Sequence, residues 1–240
     1  MTARVRFVST TRAGGVSAPP YDSFNLADHV GDDPAAVSAN RARLAQSIGL
    51  PPARVVWMHQ VHGTRVEIVA DPPDPAAGDI EDTDALVTTL PGVALAVVSG
   101  DCVPVLLADP RAGVIGAAHA GRVGAAAGVV LRTLEAMVGL GARTEDISVV
   151  LGPAVSGRHY EVPEQMAAEV EVQLPGSRTT TVRGTPGLDL RAGIARQLID
   201  AGVASVEIDP RCTIEDQALF SHRRDAPTGR LASLVWIDPA

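Results

Sequence analysis

The 240-residue sequence predicts a mixed α/β domain, on three observations. Short apolar runs of strand length alternate with helix-like segments bounded by Asp, Pro and Gly, the pattern of sheets covered by helices. The central stretch from Asp101 to Gly121 holds two apolar runs without a polar face, so its sheet needs cover on both sides. Hydrophobic residues make up 46% of the chain and no linker, repeat or low-complexity segment interrupts it, so one domain spanning 1–240 is expected.

Val5 to Ser9 reads as a strand, followed by a Gly/Pro-rich loop from Arg12 to Tyr21. Asp33 caps a helix that Pro34 opens and that runs to about Gly49, with Arg41 and Arg43 as surface charges. Val55–Met58 and Val66–Val69 are strands. His59 and His62 lie between them, three apart, and in an extended segment only one of the two faces any single site. Asp71 to Asp84 holds six acidic residues in a surface loop whose spacing fits no EF-hand. Asp84–Thr88 and Val93–Val98 read as a strand pair turned at Pro91-Gly92.

In the central stretch, Asp109-Pro110-Arg111-Ala112 suits a type I turn between Val103–Ala108 and Val114–Ala118. Closing that loop on Ala108 and Gly113 sets Cys102 opposite His119, on one face at the open end of the hairpin. A helix then runs from Gly121 to Gly139, and the free N–H groups at its start form a candidate anion site. Further on come a strand at Ile147–Leu151, helices at Pro163–Val172 and Leu188–Ala201, and strands at Val203–Ile208 and Ala232–Ile237. The loop before the last strand carries Arg223, Arg224 and Arg230, either anion ligands or partners for the many carboxylates.

Composition removes several functions. The chain has no lysine, which excludes Schiff-base chemistry, pyridoxal phosphate attachment and a P-loop. A net charge of −8 with 3% aromatics argues against nucleic acid as a partner. No run reaches membrane-spanning length and the N-terminus lacks a signal-peptide core, so a cytoplasmic protein is expected. Its two cysteines, Cys102 and Cys212, are then free thiols or a metal thiolate. His62, Cys102 and His119 stand out as one sulfur and two imidazoles, a set that leaves a fourth position open on a catalytic zinc. Without a metal, Cys102 and His119 would instead form a nucleophile–base dyad of a hydrolase or deamidase. A third reading is a non-catalytic protein that binds a nucleotide or wall precursor.

The chain also carries STTRAGGVS from Ser9, NL at Asn25, QVHG at Gln60, DAL at Asp84, DCVPVLLAD at Asp101, HAG at His119, GPAVS at Gly152, YEV at Tyr160, FSHRRD at Phe220 and TGR at Thr228. This series resembles the YfiH family, the laccase-domain or peptidoglycan editing factor proteins, in order over almost the whole length. The resemblance implies one α/β domain of layered mixed sheets flanked by helices, an α/β/β/α-like sandwich. It implies zinc on His62, Cys102 and His119, the residues expected to act in catalysis. It further implies phosphorolysis of adenosine, inosine or methylthioadenosine to free base and ribose 1-phosphate, adenosine deamination, and a link to peptidoglycan precursor editing. Arg12, Asn25, Gln60, Asp101 and Arg122 are the candidate substrate contacts. Two departures stand out: the family's usual HAGWRG reads HAGRVG here, and Gly100 and His222 replace a usual alanine and tyrosine. The family's older assignment as a copper polyphenol oxidase fits poorly: the same three residues could bind copper in place of zinc, but a multicopper laccase needs more histidines than the six present.

Overall fold

The computed structural model describes residues 2–71, 74 and 78–239. Its strands are β1 (Val5–Ser9), β2 (Val55–Val56), β3 (Val66–Val69), β4 (Ala85–Thr88), β5 (Ala94–Ser99), β6 (Val103–Asp109), β7 (Val114–Ala120), β8 (Ser148–Leu151), β9 (Arg178–Thr180), β10 (Pro186–Leu188), β11 (Ser205–Ile208) and β12 (Leu231–Ile237). The helices are α1 (Pro34–Ser47), α2 (Arg122–Ala126), α3 (Val129–Gly139), α4 (Glu164–Gln173), α5 (Leu190–Asp200) and α6 (His222–Asp225). No helix among the described residues is long and apolar enough to cross a membrane.

Two mixed sheets stack face to face. A four-stranded sheet runs β1-β12-β5-β2 and a six-stranded sheet β11-β8-β6-β7-β4-β3. Between them Leu95, Val97 and Val235 meet Leu86, Leu106 and Ile115, all fully buried. Leu44 of α1 and Trp57 pack on the outer face of the smaller sheet, while Val129, Leu134 and Ile194 of α3 and α5 cover the larger one. Each fully buried Leu or Ile contributes about 1.5–3 kcal/mol. The expected α/β/β/α layering is therefore the one observed, and it explains why β6 and β7 show no polar face: helices lie on one side of them and a second sheet on the other.

The hairpin departs from its expected register. Asp109 pairs with Val114 and Pro104 with His119, so Cys102 lies diagonal to His119 rather than opposite it. The turn chemistry explains the shift. The Asp109 carboxylate accepts the N–H groups of Arg111 and Ala112, and Gly113 takes a φ of +67° that suits glycine. Because the slip is two residues, every side chain keeps its expected face.

β4 and β5 do not form a hairpin. They belong to different sheets, and the Pro91-Gly92 turn carries the chain across. Both strands are buried along their whole length, a pattern that separate, doubly covered sheets satisfy. The chain crosses back through Gly100-Asp101-Cys102, where Asp101 holds a φ of +113°. The helix expected from Gly121 is broken at Gly128, φ +87°, into α2 and α3. The β9–β10 pair escapes the sequence pattern, since its polar β9 and Pro-Gly-containing β10 show no apolar alternation. Arg41 is not a surface charge: it pairs with Asp79 at 2.6 Å and stacks 4.2 Å over Trp57. The calcium question in the acidic loop falls partly on residues 72, 73 and 75–77, outside those described.

Candidate metal centre between the sheets

The second crossing places chemistry at the rim. Cys102 ends the three-residue bridge from β5 to β6, His119 is the penultimate residue of β7, and His62 comes from the loop after β2. One donor atom from each lies within 4.8 Å of the others. The Cys102 sulfur stands 3.8 Å from His62 Nε2, and the two imidazoles meet edge to face with centroids 4.7 Å apart. His62 reaches this position through a left-handed backbone, φ +61°, rather than the extended one expected. His59 accordingly faces elsewhere, beside Glu81 and Asp82 on the exposed surface.

Asp84 holds the group together, although the sequence pattern marks it only as the start of a strand. It is fully buried. Its carboxylate accepts the backbone N–H groups of Val61, His62 and Gly63 and the Nδ1–H of His119 at 2.9 Å. The same side chain thus folds the His62 loop and fixes the His119 ring with Nε2 facing Cys102 and His62, the arrangement by which carboxylates orient metal-binding histidines. Burial favours a neutral Asp84, but the bonds from His119 and Gly63 outweigh it and hold its pKa below the usual range. No local sequence signal marks it, because its partners lie 21 to 35 residues away.

Charge follows geometry. Burial pushes the Cys102 thiol up, yet hydrogen bonds and charge from His119 and His62 bring it down to about 6. Burial would lower His119, but Asp84 and Cys102 raise it to about 9. The metal-free site is a thiolate beside an imidazolium. Room around it is tight: a Cβ on Gly121 would come within 2.7 Å of His62 Cδ2 and 3.1 Å of the Cys102 sulfur. Cys212 is free and buried, its sulfur accepting the Ser156 N–H.

The other expected contacts divide. Asn25 is fully buried, its amide spent on Ala27, Asp32 and the Arg230 N–H. Arg12 is engaged by the Asp22 carbonyl and the Phe220 ring. Asp101 accepts from Thr213, Ser221 and the Arg223 N–H, which fixes the bridge residue next to Cys102. Gln60 does line the cavity beside the three donors, but both ends of its amide pair with the Val98 backbone at 2.8 Å. All four side chains are thus engaged within the fold. Arg122 opens α2 with no hydrogen-bonding partner among the described residues, and its charge acts on Tyr160, as does that of Cys102. The expected anion site at that helix start is reduced to a helix of five residues. Arg224 is consumed by the carbonyls of Thr213, Asp216 and Leu219, whereas Arg223 stacks 4.6 Å over Tyr160.

Three donors converge, then, in a cavity of about 190 Å³ at the rim between the sheets. The donor set, one sulfur and two imidazole nitrogens, suits zinc and also suits copper. Among the described residues no further histidine lies within 4.8 Å of this group, while His29 and His222 line the same cavity.

Residues 6–238 match the family model described as multi-copper polyphenol oxidoreductase laccase. The chain is 68% identical over 238 residues, 99% of its length and 94% of the relative's, to a purine nucleoside phosphorylase of Mycobacterium tuberculosis. It superposes on a crystal structure of Bacillus licheniformis protein YfiH with a TM-score of 0.91 at 30% identity, covering 98% of this chain and 93% of the other. For a Neisseria meningitidis protein, NMB0706, the TM-score is 0.86 at 36% identity, with 100% and 99% covered. By the family model and by these relatives, the chain belongs to the laccase-domain, or YfiH, family.

Proposed function

We propose that this protein is a zinc-dependent purine nucleoside phosphorylase that cleaves adenosine, inosine or methylthioadenosine with phosphate, and that it also deaminates adenosine. The observation that carries the reading is the convergence of Cys102, His62 and His119, with Asp84 behind, in a chain 68% identical to a protein named purine nucleoside phosphorylase. His62, Cys102 and His119 would hold the ion, which when bound supplies Lewis-acid activation. The chain's own residues do the rest. Asp84 keeps His119 Nε2 directed at the ligand cluster, and Gly121 packs closely on His62 and Cys102. Arg122, free of a partner among the described residues and close to Tyr160, is available to the substrate.

Purified protein loaded with zinc, given inosine and phosphate, should yield hypoxanthine and ribose 1-phosphate by chromatography, and adenosine without phosphate should yield inosine. Elemental analysis should find about one zinc per chain, the stoichiometry of a site with this donor count. Copper-dependent phenol oxidation without base release would refute the reading.

The low thiol pKa of Cys102 also suits the nucleophile–base dyad. Chelation separates the two: the dyad predicts turnover that survives metal removal and is abolished by iodoacetamide, the metal centre predicts turnover lost with the ion and restored by it.

A further inference from the structure

Arg230 ends the loop before β12. Leu231 pairs with Ser99, so Arg230 lies across from Gly100 at the start of the sheet-to-sheet bridge. A Cβ on Gly100 would stand 2.9 Å from Arg230 Cδ, and the absence of one lets the arginine stem lie flat against the bridge. Its backbone N–H is held by Asn25 Oδ1 at 2.9 Å. Nη1 donates to the carbonyls of Thr228 and Gly229, while Nε and Nη2 have no acceptor among the described residues.

No carboxylate among those residues comes within ion-pair distance of this cation, although the chain is acidic. Asp101, whose charge reaches it, spends its carboxylate on Thr213, Ser221 and Arg223. Beside it the Ser99 hydroxyl is 2% exposed and has no partner among the described residues. Both line the cavity that holds Cys102 and His119, together with His29 and His222. A half-buried guanidinium without an ion-paired carboxylate and a buried hydroxyl without a partner each cost free energy unless something pairs with them.

Resting on the phosphorylase reading above, we propose that Arg230 and Ser99 form the phosphate subsite of this enzyme, with Asn25 positioning Arg230. The free Nε and Nη2 hydrogens offer the two-pronged contact that matches two oxygens of a phosphate, and the Ser99 hydroxyl donates to a third. This puts the nucleophile on the β5–β12 side of the cavity, which also holds the ion-binding residues.

The test is steady-state inosine phosphorolysis by the zinc-loaded protein, with phosphate and inosine varied independently. Arg230→Gln should raise the KM for phosphate at least tenfold and that for inosine less than twofold, with Arg230→Lys between the two proteins. Ser99 makes no side-chain hydrogen bond among the described residues, so Ser99→Ala should keep the melting temperature and still raise the phosphate KM severalfold; this variant and Arg230→Lys decide the matter if Arg230→Gln does not fold. An unchanged phosphate KM in Ser99→Ala and Arg230→Lys, or a phosphate KM that moves in Arg122→Gln instead, overturns the assignment. Phosphorolysis by the parent protein in that case leaves the phosphorylase reading standing, whereas its absence with both substrates present defeats that reading itself.

Discussion

The β6–β7 hairpin has a buried aspartate at each end, and the two do different work. At the turn, Asp109 is 1% exposed and accepts three backbone N–H groups, from Arg111, Ala112 and Arg143. At the rim, Asp84 is 0% exposed and also accepts three, from Val61, His62 and Gly63. Both are held ionised by those donors against the cost of burial. Asp84 adds one bond that Asp109 lacks, to the titratable ring of His119. That single difference turns a loop staple into part of a reactive site.

The sharpest way to break the comparison is to remove the charge from each in turn. Asp84→Asn leaves one oxygen to serve three N–H donors and the His119 ring, and sets an NH₂ against the remainder. Metal affinity should fall 10–100-fold, as for other groups that orient a ligand histidine, and turnover should fall with it; equilibrium dialysis against zinc and the rate of base release measure both. Asp109→Asn should cost about 1–3 kcal/mol in stability from unsatisfied buried groups, seen as a lower melting temperature, with kcat/KM unchanged. Equal losses of metal in the two variants would mean that Asp84 acts only as a staple.

The two ends are not equally legible in the sequence. At the turn the residues spell their own structure: Asp109, Pro110 and Gly113 are local turn formers, and the departure is one of register, arising because the side chain of Asp109 competes with its backbone for the turn. The faces survive that slip because apolar periodicity fixes parity. The donor triad is also legible, since Cys, His and His are few in this chain and chemically distinctive. Asp84 is not, because its partners come from 21 to 35 residues away and nothing local marks a carboxylate as buried. Asn25, Gln60 and Asp101 share that opacity, because each bonds groups far along the chain, the Arg230 N–H, the Val98 backbone and the Thr213 and Ser221 hydroxyls, that nothing local announces.

Proton linkage sharpens the contrast next, because only the Asp84 end carries groups that titrate near neutrality. In the metal-free site His119 keeps its proton up to about 9 and Cys102 loses its own above about 6. An ion needs the thiolate and a neutral imidazole. Near pH 7, uptake should therefore expel about one proton from this pair, that of His119. As pH falls through 6, Cys102 adds a second and affinity should drop more steeply; above 9 the pair releases none and affinity should level. Calorimetry of zinc binding in buffers of different ionisation enthalpy reads this directly, and an affinity that is flat between pH 6 and 9 would contradict it.

The smallest effects come from a pair of glycines that flank β7. Gly121 has no room for a methyl group: the new Cβ would press on His62 Cδ2 at 2.7 Å and the Cys102 sulfur at 3.1 Å. Gly121→Ala should splay the donors and lower zinc affinity about tenfold, the low end of the range for disturbed ligand support. An added methyl on Gly113 would meet nothing within 4 Å, but the φ there is +67°. Gly113→Ala should therefore cost about 1 kcal/mol, the ordinary penalty for an L-residue in left-handed backbone, and leave zinc binding untouched. A melting curve and a zinc titration on each variant suffice. If Gly113→Ala also weakened zinc binding, strain at the turn would be passing along the hairpin to the rim, and the two ends could not be treated as independent.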